Sequence, residues 1–369
     1  MIGHSALRLI REKIGAWELG RLQPGEWKEV ECPPLYRQQF HIDNSIRQKH
    51  GKTMIFANDI LEADARIRQL VRQTPLDHSL QLSELTGCDV WLKLEHLQHT
   101  GSFKLRGATN KVLSLYYDEL ERGIVTASNG NHGIAVCHAA RRVGVTPRVF
   151  MRHGVSEAKL SLIRLLGGEP VFYGNDPLEA ELKARETAKQ NGQVFISPYN
   201  DAQVIAGQGT LGVEIHRQLT DVDAVFVAVG GGGLISGIAT YLKATSPRTR
   251  IVGCWPENSP VMYECLKAGK IFDCPELPTI SDSTAGGLEP DSMTLAMCRD
   301  LIDDHVLVSE SEIKEAMCLL IEKERWIVEG AAGVALAALL KERERFAEKR
   351  VVVLLCGRNI AAEKLHEIW

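Results

Sequence analysis

The 369-residue chain has no run of about 18 uninterrupted apolar residues, so no membrane-spanning helix is expected. It also lacks a basic excess. With 43 Lys and Arg against 47 Asp and Glu, a formal charge of -4, little is available to displace the counterions of a nucleic acid. The nine cysteines, at 32, 88, 137, 254, 265, 274, 298, 318 and 356, are scattered, odd in number and without a Cys-x-x-Cys pair. That pattern speaks for reduced thiols and against a zinc site. The N-terminus, MIGHSALRLIREKIGAWELG, has no continuous apolar stretch of the secretory kind, and Glu12 and Glu18 suit an organelle transit peptide poorly. A cytoplasmic protein is the expectation, and neither repeats nor low-complexity tracts complicate it.

What remains is an ordinary globular composition, 44% hydrophobic and 24% charged, on a chain longer than one core usually takes. Two lobes are therefore expected. Residues 1–53 carry mixed charge, Pro33-Pro34 and little periodicity, and read as an extension of unknown role. From Met54 a helix is expected, capped by Asn58 or Asp59, with Ile60, Ala63, Ile67, Leu70 and Val71 on its apolar side and Thr74-Pro75 as its end. Strand candidates then alternate with helical segments at 89–94, 123–127, 147–151, 170–173, 193–197, 223–229, 250–255, 304–309 and 350–356. Such alternation marks an α/β protein with parallel sheets covered on both faces.

Three glycine-containing loops compete as anion sites. GQGTLG (207–212) matches the dinucleotide fingerprint and opens a helix-like run. It does not follow a strand, however, and the position about twenty residues on, where an acid should hold a ribose, is the run Gly230–Gly233. A nicotinamide enzyme is thus the weaker reading. VAVGGGGLISGIATYL (227–242) places four glycines between an apolar strand and a helix, so unhindered backbone amides and a helix N-terminus meet where a phosphate can sit. ASNGNHGIAV (127–136) repeats the strand-to-helix arrangement with Ser128, Asn129, Gly130, Asn131 and His132, and suits a carboxylate. His132 earns no independent acid-base role from its position. Lys104 follows Gly-Ser-Phe at a helix start, where the helix dipole disfavours a cation, so a stabilising surface charge is a poor explanation for it.

Taken in order, TPL (74–76), LKLEHLQHTGSFKLRGA (92–108), SNGNHG (128–133), GQGT (207–210), GGGGL (230–234), VEGAAGVALAAL (328–339) and CGRN (356–359) resemble the fold-type II pyridoxal-phosphate enzymes, specifically the serine/threonine dehydratases. The resemblance implies a two-lobed, tryptophan synthase β-like fold, each lobe a mostly parallel sheet flanked by helices. The large cofactor domain would comprise 54–122 and 200–369, and the small substrate-loop domain 123–199. It further implies that Lys104 forms a Schiff base with pyridoxal 5'-phosphate and later removes the substrate's Cα proton. Phe103, Asn131, Gly230, Gly231, Gly232, Gly233, Leu234, Gly287, Glu329 and Cys356 would hold the cofactor. Ser102, Ser128, Asn129, Gly130 and His132 would hold the substrate. The implied reaction is α,β-elimination of L-threonine or L-serine to a 2-oxo acid and ammonia.

Departures from the family pattern bear on substrate and relatives' side reactions. Cys356 stands where relatives carry serine opposite the pyridine nitrogen, and a thiol is a weak donor. Asn129 replaces the proton-donating serine of the racemases, and an amide cannot exchange that proton, which makes racemisation a minor alternative. Trp255 and Val261 fall at the acidic positions of the racemase cation site, so no metal is expected. Gly286 and Gly287 replace an Asp-Gly pair, leaving room for a rarer substrate such as 3-hydroxyaspartate, a phenylserine or a hydroxyectoine-derived compound. Ten residues follow Asn359, too few for a regulatory domain, which points to a catabolic role. Dimers or tetramers are common in the family, so a homo-oligomer is expected. A non-catalytic ligand-binding protein is the remaining alternative.

Overall fold

The computed structural model describes residues 13–14, 17–18, 55–155, 157–175 and 177–368. The chain divides into two units, Met1–Thr53 and Met54–Trp369. In the first, β1 (Lys13–Ile14) and β2 (Trp17–Glu18) pair antiparallel; the rest of the extension expected over 1–53 lies outside the described residues.

The second unit contains two sheets. The larger comprises β3 (Leu76–His78), β4 (Asp89–Lys93), β9 (Ala224–Ala228), β10 (Arg250–Pro256), β11 (Asp304–Val308) and β12 (Arg350–Leu354), in the order β11-β10-β9-β12-β4-β3. All its neighbours are parallel except β3, which runs antiparallel to β4. The smaller, wholly parallel sheet has the order β7-β6-β5-β8, from β5 (Ile124–Ala127), β6 (Arg148–Met151), β7 (Glu169–Phe172) and β8 (Val194–Phe195). Central strands are apolar throughout because helices cover both faces: every residue of Ala224–Ala228 is buried. Eight cysteines are free thiols among the described residues.

The first helix, Ala57–Ile67, begins one residue earlier than Asn58 and ends well before Thr74-Pro75. Its N-cap is Phe56, and Asp59 serves from inside the first turn, accepting from the Phe56 amide at 2.8 Å. A carboxylate at the third helical position satisfies an otherwise orphan donor without being the cap. Ile60, Ala63, Ile67 and Val71 are buried as the periodicity requires, whereas Leu70 is half-buried.

GQGTLG does not open a helix: it lies in the middle of the buried helix Ala202–Gln218. Its glycines allow neighbouring helices to touch backbone to backbone. A Cβ on Gly207 would lie 2.7 Å from the Arg106 carbonyl oxygen, and one on Gly209 would lie 2.9 Å from that of Gly237. The reciprocal contact is equally tight, since a Cβ on Gly237 would meet the Ile205 carbonyl and the Gly209 amide. Both obstacles are backbone and cannot rotate away. Gly237→Ala is therefore expected to destabilise the protein by about 1–3 kcal/mol through overpacking; an unchanged urea midpoint would contradict this.

Candidate active site

A cavity of about 370 Å³ opens where strands of both sheets end. Phe103, Lys104, the 128–132 loop, Gly230–Gly233, Leu234, Glu329 and Cys356 all line it. Two residues expected there do not. Ser102 is fully buried beneath the lysine turn, its hydroxyl without a hydrogen-bond partner among the described residues. Gly287 sits beyond the lining segment 282–285.

The lysine turn is held against the end of β12. The Phe103 amide donates to the Cys356 carbonyl at 3.0 Å, and the Arg358 amide donates to the Gly101 carbonyl at 2.9 Å. Gly101 has φ +76°, and a Cβ there would strike the Asn359 amide group at 2.6 Å, so the turn requires glycine on two counts. Lys104 starts the helix Lys104–Leu113, and its amine donates to the Pro198 carbonyl at 2.8 Å. Burial lowers its pKa to about 8, although Cys356 and Glu329 pull it upward. An amine so placed is neutral in part near physiological pH and can act as nucleophile or base.

Glu329, Asn131 and Asn359 form a network on one wall. Asn131 Nδ2 donates to both Glu329 carboxylate oxygens at 3.0 and 2.9 Å, and Ser283 Oγ donates to Oε1 at 3.0 Å. Asn359 Nδ2 donates to Asn131 Oδ1 at 2.6 Å and to the Thr100 carbonyl at 2.9 Å. The Asn131 amide is thereby fixed in one orientation. Burial raises the Glu329 pKa against the effect of the Asn131 and Ser283 hydrogen bonds. Burial, reinforced by Glu329, likewise raises the Cys356 thiol well above its ordinary value, so Cys356 is neutral.

The glycine loop lines the same cavity. The helix Gly233–Thr245 begins with Gly232 as N-cap at φ +81°, and the first amides of a helix have no partner within it. A Cβ on Gly231 would collide with the Tyr199 ring, so aromatic packing and bare backbone together shape this cradle. Tyr199 is itself held by the Glu289 amide, which donates to its Oη at 2.7 Å. In the 128–132 loop, the Gly130 amide donates to Ser128 Oγ at 3.1 Å, and Asn129 Oδ1 accepts from the Arg152 amide at 3.1 Å. His132 Nε2 lies 3.0 Å from the Ile196 carbonyl. Burial and the nearby Lys104 charge lower its pKa to about 3, which leaves a neutral ring with no part in proton transfer at physiological pH. Asn359, Tyr199 and Ser283 also belong to the site, although none stood out in the sequence as a site residue.

Geometry of this kind defines a class. The family described as "Pyridoxal-phosphate dependent enzyme" matches residues 67–357, and the chain belongs to it. Within that class the chain is similar to the L-threonine ammonia-lyase of Thermotoga maritima, 38% identical over 315 residues, 85% of this chain and 78% of the relative. It is also similar to the L-threonine dehydratase catabolic TdcB of Escherichia coli K12, 36% identical over 84% of this chain and 95% of the relative. Among solved structures, the processed form of threonine deaminase isoform 2 from Solanum lycopersicum superposes with TM-score 0.80 and 36% identity. That match covers 84% of this chain and 90% of the other. The fold is accordingly the two-lobed fold-type II architecture.

The residues present fit the cofactor. A desolvated amine stands ready for its aldehyde, and a cradle with no room for side chains suits its phosphate. Asn131 and the neutral thiol of Cys356 line the same cavity and would be polar groups available to its ring.

Proposed function

We propose that the protein is a pyridoxal-phosphate-dependent ammonia-lyase that converts L-threonine or L-serine to the 2-oxo acid and ammonia. The observation that carries this reading is the Lys104 amine, lowered to about 8, sharing one cavity with a glycine cradle and a second anion loop. When bound, the cofactor supplies a conjugated ring that withdraws electron density from the substrate's Cα. The loop Ser128–Asn131, at the N-terminus of the helix Asn131–Arg142, holds the substrate carboxylate. Lys104 takes the Cα proton as a neutral amine. Asn129 brings an amide and no exchangeable acid to the cavity, which favours elimination over racemisation.

The test is 2-oxo acid release from each amino acid by the cofactor-loaded protein. Release from neither would refute the reading. Because the base is an amine lowered to about 8 by burial and freed only once substrate is bound, kcat for L-threonine is expected to rise from pH 7 through pH 8 and to level towards pH 9. A flat profile between pH 7 and 9 would remove Lys104 from the proton transfer. The depressed lysine also has a sign for folding: between about 8 and the unfolded lysine's value near 10.4, the unfolded chain binds more protons, so stability gains with rising pH there.

The reading extends to the rest of the molecule. The large domain is 54–122 with 200–369, and the small domain is 123–199. Free cysteines suit a reducing cytoplasm, and no described helix is long and apolar enough to cross a membrane. A homo-oligomer is expected in light scattering.

A further inference from the structure

We infer that Arg152 and Lys159 form a second anion subsite in this cavity, suited to a β-hydroxy amino acid that carries a second carboxylate. The inference rests on the ammonia-lyase reading and narrows the substrate class of the same site. Arg152 directly follows β6, and Lys159 lies on the helix Glu157–Leu165; both are half-buried and line the cavity. Lys159 Nζ stands 3.8 Å from where a Cβ on Gly130 would be, beside the carboxylate loop. The Arg152 amide is tied to the same loop through Asn129 Oδ1, and its guanidinium donates to the His153 carbonyl at 3.0 Å.

Neither cation pairs with a carboxylate among the described residues. The acids of the cavity are engaged elsewhere: Glu329 by Asn131, Ser283 and Asn359, and Asp282 by Lys364 at 3.0 Å. The other anions of the reaction also have their own donors, the cofactor phosphate at Gly230–Gly233 and the α-carboxylate at Ser128–Asn131. Two cations that line one cavity without a carboxylate partner both gain when an anion enters it. The hydrogen or methyl that serine or threonine carries at Cβ gives them nothing to bind. A carboxylate at Cβ does, and a guanidinium grips it in bidentate fashion.

The chemistry balances without an added oxidant. For 3-hydroxyaspartate the Cα–H and Cβ–O bonds break and water leaves; water returns in hydrolysis, which releases ammonia and leaves oxaloacetate. The experiment compares kcat/KM for L-threo-3-hydroxyaspartate and L-serine in the loaded wild-type enzyme, Arg152→Met and Lys159→Met. The wild type turns over both, and each variant lowers the hydroxyaspartate value at least tenfold more than the serine value, mainly through KM. Arg152→Lys and Lys159→Arg recover part of that loss. By calorimetry, succinate binds the wild type at least tenfold tighter than butyrate, and Arg152→Met erases the margin. Serine turnover without hydroxyaspartate turnover, equal losses on both substrates, or no succinate margin each overturn the subsite. Turnover of neither substrate overturns the ammonia-lyase reading and takes the subsite with it.

Discussion

Lys104→Ala is expected to lower 2-oxo acid release from L-threonine at least about 10³-fold, since the cavity then holds neither the attaching amine nor the base. Lys159, the other amine lining the cavity, stands beside Gly130 and not at the Pro198 carbonyl that Lys104 reaches. Burial, the larger of the two causes that lower the His132 pKa to about 3, persists in the variant, and burial together with Glu329 holds the Cys356 thiol protonated. The fold should persist, because the substitution removes one hydrogen bond to the Pro198 carbonyl while relieving the burial of an amine. Lys104→Arg separates charge from chemistry: a guanidinium keeps the positive charge but does not deprotonate, so it should be as inactive as alanine. Retained activity within tenfold of wild type in either variant, with thermal unfolding unchanged, would show that another residue carries the reaction.

Much of the architecture was legible because parallel strands buried on both faces are apolar runs. DAVFVAV and RVVVLLC became β9 and β12, and each of the nine strand candidates corresponds to an observed strand, with ends shifted by at most two residues. β3 escaped because Leu76–His78 is a half-exposed, three-residue antiparallel edge with no apolar pattern to betray it. GQGTLG misled for the opposite reason. Glycine in sequence reads as a loop, and only the close approach of Gly107 and Gly237 makes it a buried helix.

The site was legible where a single segment carries its own chemistry. Lys104 after Gly-Ser-Phe, the tetraglycine run and the Ser-Asn-Gly-Asn loop each join a strand or turn to a helix start, and the parallel sheets bring those starts to one cavity. Asn359 was illegible because its role exists only across 228 residues of chain, in its hydrogen bond to Asn131. Ser102 was misplaced because the same turn that presents Lys104 pushes its neighbour inward, under the isolated bridge between Ser102 and Gly357.

The helix that presents Lys104 is anchored two residues later by the most buried charge cluster in the described protein, and breaking it should produce the largest stability effect. Arg106 Nη2 meets Glu95 at 2.7 Å and Nη1 meets Glu214 at 2.6 Å, while Lys93 meets the other oxygen of Glu214 at 2.6 Å. Arg106 also donates to Thr210 Oγ1 at 3.2 Å, and Thr74 Oγ1 donates to Glu95 at 2.6 Å, so the polar atoms are satisfied. Arg106→Met leaves Glu95 without a counterion beside it and is expected to cost about 3–5 kcal/mol in urea unfolding. Pairing it with Glu95→Leu should recover part of the loss, because an apolar replacement of both partners leaves no orphaned charge between them. The acid response carries the same information. Burial raises the Glu95 pKa, but the Arg106 charge and hydrogen bonds outweigh it and hold the carboxyl below its ordinary value. A carboxylate depressed in the folded state contributes stability above the unfolded value near 4.3 and loses it as pH falls through the folded one. Wild type should therefore lose stability below about pH 4 more steeply than Arg106→Met/Glu95→Leu, which has no such pair to protonate. Equal acid slopes would mean that the pair contributes nothing beyond packing, and that the lysine helix is held by its backbone hydrogen bonds and glycine contacts.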